Sequence, residues 1–452
     1  MTFPGVKVRF APSPTGRLHV GNIRVALLNW LFAMRVGGEI ILRMDDTDEE
    51  RSTDAFERGI VEDLTWLGLV WDVFARQSAR MDRYELAAGK LRASGRLYPC
   101  WETQEELELK RRIRMGQGRP PVYDRAALAL SQDEQAALIA QGKQPHWRFR
   151  LLDEVVAWTD LARGDVRFEP GHLSDPVLVR EDARPLYTLS SVVDDGEMRV
   201  SHVIRGEDHV ANTAVQIQLF QALGFAVPDF AHLPLLVDAE GKALSKRDES
   251  LSIQIMRDQG TEARAILGYL AKLGSGLAAD GTETLGQLAR QIDLGGFGKA
   301  SPRFDPRELQ ALNAKVLHHL SFAEVAVRLQ AMGLAQADAE FWQAVRGNLE
   351  RFADVGIWWR VARGAVTPPD FSAEDKAFLA QAAALLPATP WGPDVWKLWT
   401  GAVKDATGRK GKALFLPLRL ALTGEEHGPE LAVLLPLIGR EKALERLGAA
   451  VG

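Results

Sequence analysis

Four stretches carry residue types and spacings suited to chemistry on anions. Arg9 to Asn22 reads R-F-A-P-S-P-T-G-R-L-H-V-G-N. It follows a short apolar run, Val6 to Phe10; two prolines and a glycine then interrupt regular structure before a helical pattern begins. In a strand–turn–helix of this kind, free N–H groups and the positive end of the helix dipole face a phosphate. Gly21 has no Cβ to hold a nucleotide off the backbone, and His19 is placed to donate to a phosphate oxygen. No G-x-x-x-x-G-K-[ST] is present here, which excludes a P-loop. Leu244-Ser245-Lys246-Arg247-Asp248 is a second phosphate element, because a compact ammonium on a flexible stem can follow phosphates as charge develops. Asp45-Asp46-Thr47-Asp48 and Arg205-Gly206-Glu207-Asp208-His209 offer carboxylates and a guanidinium just past apolar runs. Each stretch also has a plainer reading. His19 alone is an ordinary loop histidine, S-K-R a surface loop, the acidic run a solvated loop before a helix capped by Thr53 or Ser52, and Arg205 a surface ion pair.

The surrounding pattern supplies elements to hold these groups. Ile23 to Met34 is apolar on nearly every side, as in a buried helix, and Gly37-Gly38 ends it. Glu39 to Met44 reads as a second parallel strand, with the acidic run at its C-terminal end, the edge where α/β sheets bind ligands. Ala55 to Leu67 and Asp82 to Ala93 are amphipathic helices. From Tyr98 to Val193 the signals are short and mixed; Ser131 and Glu134 form a capping box, and His146 to Leu151 alternates like a strand. Leu186 to Asp195 reads as a buried strand, and Ser201 to His209 as a strand whose polar end caps the helix Ala211 to Leu223. Ala263 to Leu273 is an amphipathic helix, and the chain stays helical to its end. Trp342, Trp358, Trp359, Trp391, Trp396 and Trp399 are core candidates there.

Length and composition bound the class. The 452 residues are too many for one compact core. A net charge of −5 does not point to nonspecific nucleic-acid binding, although a local basic face is compatible with it. Gly408-Arg409-Lys410-Gly411-Lys412, with Arg419, is such a face, or simply a solvated one. A single cysteine, Cys100, excludes an intramolecular disulfide and fits a reducing compartment. There is no secretory pattern at the N-terminus and no bilayer-length apolar run; Pro436 interrupts Leu431 to Ile438. A cytoplasmic protein with no membrane partner is expected.

The His19 stretch resembles the HIGH motif of class I aminoacyl-tRNA synthetases, and R-F-A-P-S-P-T-G is close to the form found in glutamyl-tRNA synthetases. Asp45 to Asp48 resembles their E-D-T-D element, with Asp45 one methylene shorter than the usual glutamate. Arg205 to Asp208 resembles their I-R-G-E-D element. Leu244 to Arg247 resembles the glutamyl form of the KMSKS loop, with Ala243 in place of its first lysine and Lys242 one residue earlier. Arg303 to Asn313 resembles the stem-contacting domain, and Gly411 to Leu422 the bacterial anticodon-binding domain.

The resemblance implies an α/β fold: a Rossmann-type parallel-sheet catalytic domain with an inserted acceptor-end-binding domain, then an all-α C-terminal half. The expected parts are 1–97 and 186–255 for the catalytic halves, 98–185 for the insertion, 256–320 for stem contact and 321–452 for anticodon binding. The implied activity is glutamate–tRNA ligation through glutamyl-adenylate, with His19 and Lys246 catalytic. ATP contacts are implied for Ser13, His19, Gly21, Asn22, Asp208, Leu236, Ser245, Lys246 and Arg247. L-Glutamate contacts are implied for Arg9, Ala11, Ser13, Asp45, Tyr187, Ser191 and Arg205, and tRNA contacts for Lys410, Lys412 and Arg419. ATP is the substrate, Mg²⁺ its counter-ion, and a monomer is expected. Many relatives hold zinc in the insertion through a C-x-C pair, a tyrosine and another cysteine. Here Glu102 takes the second position and no cysteine follows Tyr123, so no structural zinc is expected. Two other readings carry less of the pattern: a glutamyl-queuosine tRNA synthetase-like enzyme, which lacks the long helical C-terminal half, and a non-catalytic tRNA-binding paralogue.

Overall fold

The computed structural model describes residues 5–244 and 251–452. The chain divides into two compact units: residues 1–257 with 267–305, and residues 258–266 with 306–452.

The first unit is built on parallel strands. β1 (Lys7–Phe10), β2 (Glu39–Met44) and β3 (Val73–Arg76) form one parallel sheet, with Arg9 opposite Ile41 and Ile41 opposite Val73. Helix α1 (Val20–Val36) joins β1 to β2 and is buried along most of its length, as its apolar run predicts. Gly37 ends it in the left-handed conformation at φ 69°, which glycine adopts without a Cβ clash. Helix α2 (Asp54–Trp66) is capped by Thr53, whose Oγ1 accepts from Phe56 N–H at 3.2 Å. The cap is therefore Thr53, and the acidic run is left for other work. Helix α3 (Met81–Ala93) follows.

The chain then leaves the sheet. β4 (Leu97–Cys100), β5 (His146–Phe149) and β8 (Val177–Val179) form an antiparallel sheet, and β6 (Val156–Asp160) and β7 (Gly164–Phe168) form a hairpin. Helix α5 (Gln132–Ala140) carries the expected Ser131–Glu134 capping box, and helix α4 (Gln104–Gly116) carries a further one, Thr103 with Glu106.

On the return, β9 (His202–Gly206) and β10 (Asp229–Leu233) pair in parallel, with helix α7 (Val210–Leu223) between them. This pair lies beside β1: Ser201 N–H donates to Lys7 O at 2.9 Å, and the α1 residue Asn29 donates to Ile204 O at 2.9 Å.

One expected element is different. Leu186 to Asp195 is not a strand; Tyr187–Glu197 is a helix, α6. Its β-branched and apolar residues fit a strand pattern, but at helical spacing Leu189, Val192 and Val193 point into the core. Tyr187, Ser191 and Asp195, four residues apart, share another face.

The second unit is helical, with Pro306–His319 as its first long helix. Its core includes Trp342, Trp358 and Trp399, while Trp359, Trp391 and Trp396 are half-buried against it. Among the described residues no helix is long and apolar enough to cross a membrane.

Candidate active site

The turn after β1 is shaped by its own side chains. His19 is the N-cap of α1: its Nδ1 accepts from Gly21 N–H at 3.1 Å, and Asn22 Oδ1 accepts from His19 N–H at 3.2 Å. With Nδ1 an acceptor, the proton of a neutral ring sits on Nε2, which becomes the donor. Gly21 is required for this arrangement, since a Cβ there would lie 2.9 Å from His19 Cε1. Asp45 N–H donates to Pro12 O at 3.0 Å, joining the end of β2 to the turn. Ser13 is exposed, and Ala11 is half-buried. Ile253 N–H donates to Leu18 O at 3.1 Å, and Ser252 forms an isolated bridge with His19. Ser245, Lys246 and Arg247 lie outside the described residues.

Beneath this turn lies a buried network of guanidinium and carboxylate groups. Arg9 Nε donates to Asp195 Oδ2 at 3.2 Å. Arg43 donates to Asp195 Oδ1 at 2.7 Å and to Asp45 Oδ1 at 2.7 Å. Asp194 takes Arg80, Gln77 and Tyr84. Burial opposes the charge on Arg43, yet the carboxylates of Asp45, Asp195 and Asp194 hold its pKa well above its ordinary value. Burial lifts the Asp45 carboxyl to about 6 in spite of Arg43. For Asp195 burial is outweighed by Arg9 and Arg43, which keep it below the usual carboxylate range. The rest of the acidic run faces away from this network: Asp46 accepts from Ser78, and Asp48 pairs with Arg51.

Arg205, at the end of β9, differs from the other two arginines. It is 6% exposed, and among the described residues no carboxylate reaches it in an ion pair. Its donors meet neutral acceptors: Nη1 meets Tyr187 Oη at 3.0 Å, Nη2 meets Gln216 Oε1 at 2.7 Å and Thr213 Oγ1 at 2.5 Å, and Nε meets His232 Nε2 at 3.3 Å. Burial pulls its pKa down. A buried cation held only by neutral groups is costly, and an incoming anion offsets that cost. Tyr187, 37% exposed, stands at the solvent side of the guanidinium. Ser191, fully buried, accepts from Gln216 Nε2 at 3.0 Å, so it braces the network from below. His209 lies 5.5 Å from the Tyr187 ring, and its pKa is pulled to about 4 by burial and the Arg205 charge. Asp208 is exposed beside His209, and Leu236 is buried after β10.

In the insertion, Cys100 is buried, and burial pushes its thiol up to about 12. Tyr123 donates to Glu102 at 2.6 Å, and Lys110 reaches the same carboxylate. One thiol beside a carboxylate already taken by Tyr123 and Lys110 does not fit a zinc ligand set. Among the described residues no three His, Cys, Asp or Glu side chains are grouped to hold a metal ion.

In the helical unit, Lys410 and Lys412 are exposed. Arg409 is paired with Glu374 and Asp375 at 2.7 and 2.6 Å. Arg419 is turned inward, with Nη2 donating to Pro429 O at 2.8 Å.

Residues 5–294 match the family described as tRNA synthetases class I (E and Q), catalytic domain, and residues 368–451 match the anticodon binding domain family. Among curated proteins, the glutamate–tRNA ligase of Azospirillum brasilense is 56% identical over 447 residues, covering 98% of each chain. Glutamate–tRNA ligase 2 of Methylobacterium sp. (strain 4-46) is 57% identical over 441 residues, covering 97% of this chain and 98% of that one. The chain belongs to the glutamate–tRNA ligase family of class I tRNA synthetases. A solved glutamate–tRNA ligase of Elizabethkingia meningosepticum CCUG26117, in complex with its amino acid, superposes with a TM-score of 0.85 at 27% identity, over 99% of both chains.

In the class I fold Arg9, Asp45 and Arg205, far apart in sequence, sit at or just beyond strand ends in the neighbouring pairs β1–β2 and β9–β10, where a parallel sheet opens a crevice, and His19 caps the helix that follows β1. Sequence reasoning missed Arg43, Asp160, Asp194, Asp195, Thr213, Gln216 and His232 as parts of this site. Arg43 had a signal: a charge inside the apolar strand E-I-I-L-R-M requires buried partners.

Proposed function

We propose that this member of the glutamate–tRNA ligase family activates L-glutamate with ATP and transfers it to the 3′-terminal adenosine of tRNA. The observation that carries the residue assignment is Arg205, a buried cation surrounded by neutral acceptors and one half-exposed tyrosine. In this reading Arg205 and Arg9 receive the two carboxylates of glutamate, Tyr187 lies beside it, and Ala11 and Ser13 line the entry. Asp45 takes the α-amino group. A planar guanidinium meets a carboxylate bidentately, and glutamine's amide leaves such a charge unpaired.

ATP would lie along the His19 turn with Ser13, Gly21, Asn22, Asp208 and Leu236, and Ser245, Lys246 and Arg247 would bind its phosphates. Two facts support this: the tautomer of His19 makes Nε2 a donor, and Ser252, six residues after Lys246, pairs with His19. The α-carboxylate attacks the α-phosphorus, pyrophosphate leaves, and a ribose hydroxyl of tRNA then attacks the activated carbonyl. Positioning and charge stabilisation do the work, and no protein nucleophile is needed. Mg²⁺ would arrive on the ATP phosphates, as this ion usually does; no step is assigned to a protein-held ion.

We further propose the five-part division at 97/98, 185/186, 255/256 and 320/321, a monomeric state, a cytoplasmic location, and tRNA contact through Lys410 and Lys412, since Arg419, expected beside them, is held inward by Pro429 O. Aminoacylation with labelled glutamate on purified glutamate and glutamine tRNAs tests the reading. Charging of the glutamate tRNA is expected. Failure to charge either tRNA, with tRNA binding intact, leaves the non-catalytic paralogue.

A further inference from the structure

Arg205 rests on a pair of side chains that the reaction itself does not use. His232, on β10, and Asp160, at the end of β6, are both fully buried, and His232 Nδ1 lies 2.5 Å from Asp160 Oδ2. The other oxygen, Asp160 Oδ1, accepts from the backbone N–H groups of Ala162, Arg163 and His232 at 3.0, 3.1 and 3.0 Å. The carboxylate is therefore clamped in one orientation by the β6–β7 turn and by β10. Facing a carboxylate oxygen, Nδ1 carries the proton, and Nε2 is left as an acceptor. Nε2 lies 3.3 Å from Arg205 Nε and 2.8 Å from Thr213 Oγ1, which in turn accepts from Arg205 Nη2 at 2.5 Å.

We infer that Asp160 and His232 are positioning residues for Arg205: Asp160 selects the His232 tautomer that accepts from the guanidinium, and so fixes the fork toward the glutamate site. This rests on the proposed role of Arg205 as a carboxylate reader. With the proton on Nε2, the ring would present a donor to the Arg205 Nε–H, while Thr213 would turn its hydroxyl to His209 O, 3.2 Å away, and accept from the ring instead. The charged groups facing His232 are Asp160 and Arg163 from the hairpin and Arg205 from β9, with His209 after β9 farther off. Burial leads in keeping its pKa below the ordinary histidine value, and Arg205 and Arg163 act the same way, against Asp160. The neutral ring that the arrangement needs is thus the favoured form near neutral pH. Trp158 and Phe230 rings flank the imidazole at 6.3 and 6.1 Å, which excludes water from the pair.

The test is Asp160→Asn in the full chain. Three backbone donors hold the amide oxygen at the Oδ1 place, so the amide nitrogen faces His232 Nδ1 and forces the proton to Nε2. The apparent KM for glutamate in aminoacylation is expected to rise at least tenfold, with the KM for ATP changed less than twofold. In an Arg205→Ala background the same substitution is expected to add nothing, since the effect passes through Arg205. His232→Gln keeps an acceptor near the Nε2 place and should hold the glutamate KM within about threefold of the parent, while His232→Leu should raise it like Asp160→Asn. Thermal melting identifies which variants fold; if Asp160→Asn does not, the Gln and Leu pair decides. A native glutamate KM in folded Asp160→Asn, or equal KM values for the Gln and Leu variants, overturns the inference. If Arg205→Ala itself leaves the glutamate KM unchanged, it is the reading of Arg205 that fails.

Discussion

Arg9 and Arg43 already have carboxylate partners, whereas Arg205 has only neutral ones. The three side chains are alike in chemistry, so their surroundings decide which of them most needs a substrate anion. Arg205→Ala removes a buried cation together with its charge-assisted bonds to glutamate, a loss of about 3 kcal/mol. kcat/KM for glutamate should fall on the order of a hundredfold; an unchanged value removes Arg205 from the site. Asp45 yields a pH prediction. Its pKa is raised to about 6, so the carboxylate needed by the α-ammonium forms only above that pH. The KM for glutamate should therefore rise as pH drops below about 6, and a flat profile between pH 5 and 7 would speak against the assignment. The motif-borne groups, His19, Asp45 and Arg205, were legible because each sits in a dense local pattern. Arg43 showed only as a charge inside an apolar strand, and Asp160 and His232 not at all, because the partners that fix their roles lie far off in sequence: 152 residues separate Arg43 from Asp195, and 72 separate Asp160 from His232.

At the scale of elements, the N-terminus of α1 and the helix α6 do most to shape the crevice. His19 caps α1 through Nδ1, which leaves the proton of a neutral ring on Nε2, and Gly21 makes this possible. In Gly21→Ala the new Cβ pushes His19 off the cap, losing about 1 kcal/mol of stability and the aim of Nε2. Glutamate-dependent ATP–pyrophosphate exchange, run with tRNA present, should fall at least tenfold. Gly16→Ala, in the same turn, is the control: among the described residues no atom lies within 4 Å of its added Cβ, and near-parent exchange is expected. Equal effects from the two substitutions would sink the account of Gly21. The strand–turn–helix here was legible because its turn residues and apolar runs agree. Leu186 to Asp195 misled because Thr188, Val192 and Val193 favour strands locally, and tertiary packing decided for helix. That helix carries Tyr187 and Ser191 to the Arg205 network and Asp194 and Asp195 to the arginines beneath the His19 turn.

For the whole molecule, the question is how a chain of net charge −5 binds a polyanion. Parallel strands, an insertion and a helical C-terminal half were all legible from the order of motifs, but the distribution of charge on the folded surface was not. In the basic run from Gly408 to Lys412, Arg409 is neutralised by Glu374 and Asp375 and stacks 4.4 Å over Phe378. Arg419 is half-buried, and one of its nitrogens is held by a backbone carbonyl. Lys410 and Lys412 remain, exposed and with no carboxylate partner among the described residues. Phosphate contact by a lysine shows itself in the salt dependence of binding, because each contact releases counterions. In Lys410→Ala/Lys412→Ala, the slope of log Kd for tRNA against log salt should drop by about 1.5, from roughly 0.7–0.9 per contact. Arg409→Ala should leave that slope unchanged while lowering thermal stability, because its charge is already taken by two carboxylates. An unchanged slope in the double lysine variant would place the RNA contact elsewhere in the helical unit, and a reduced slope in Arg409→Ala would show that its ion pairs open when tRNA binds.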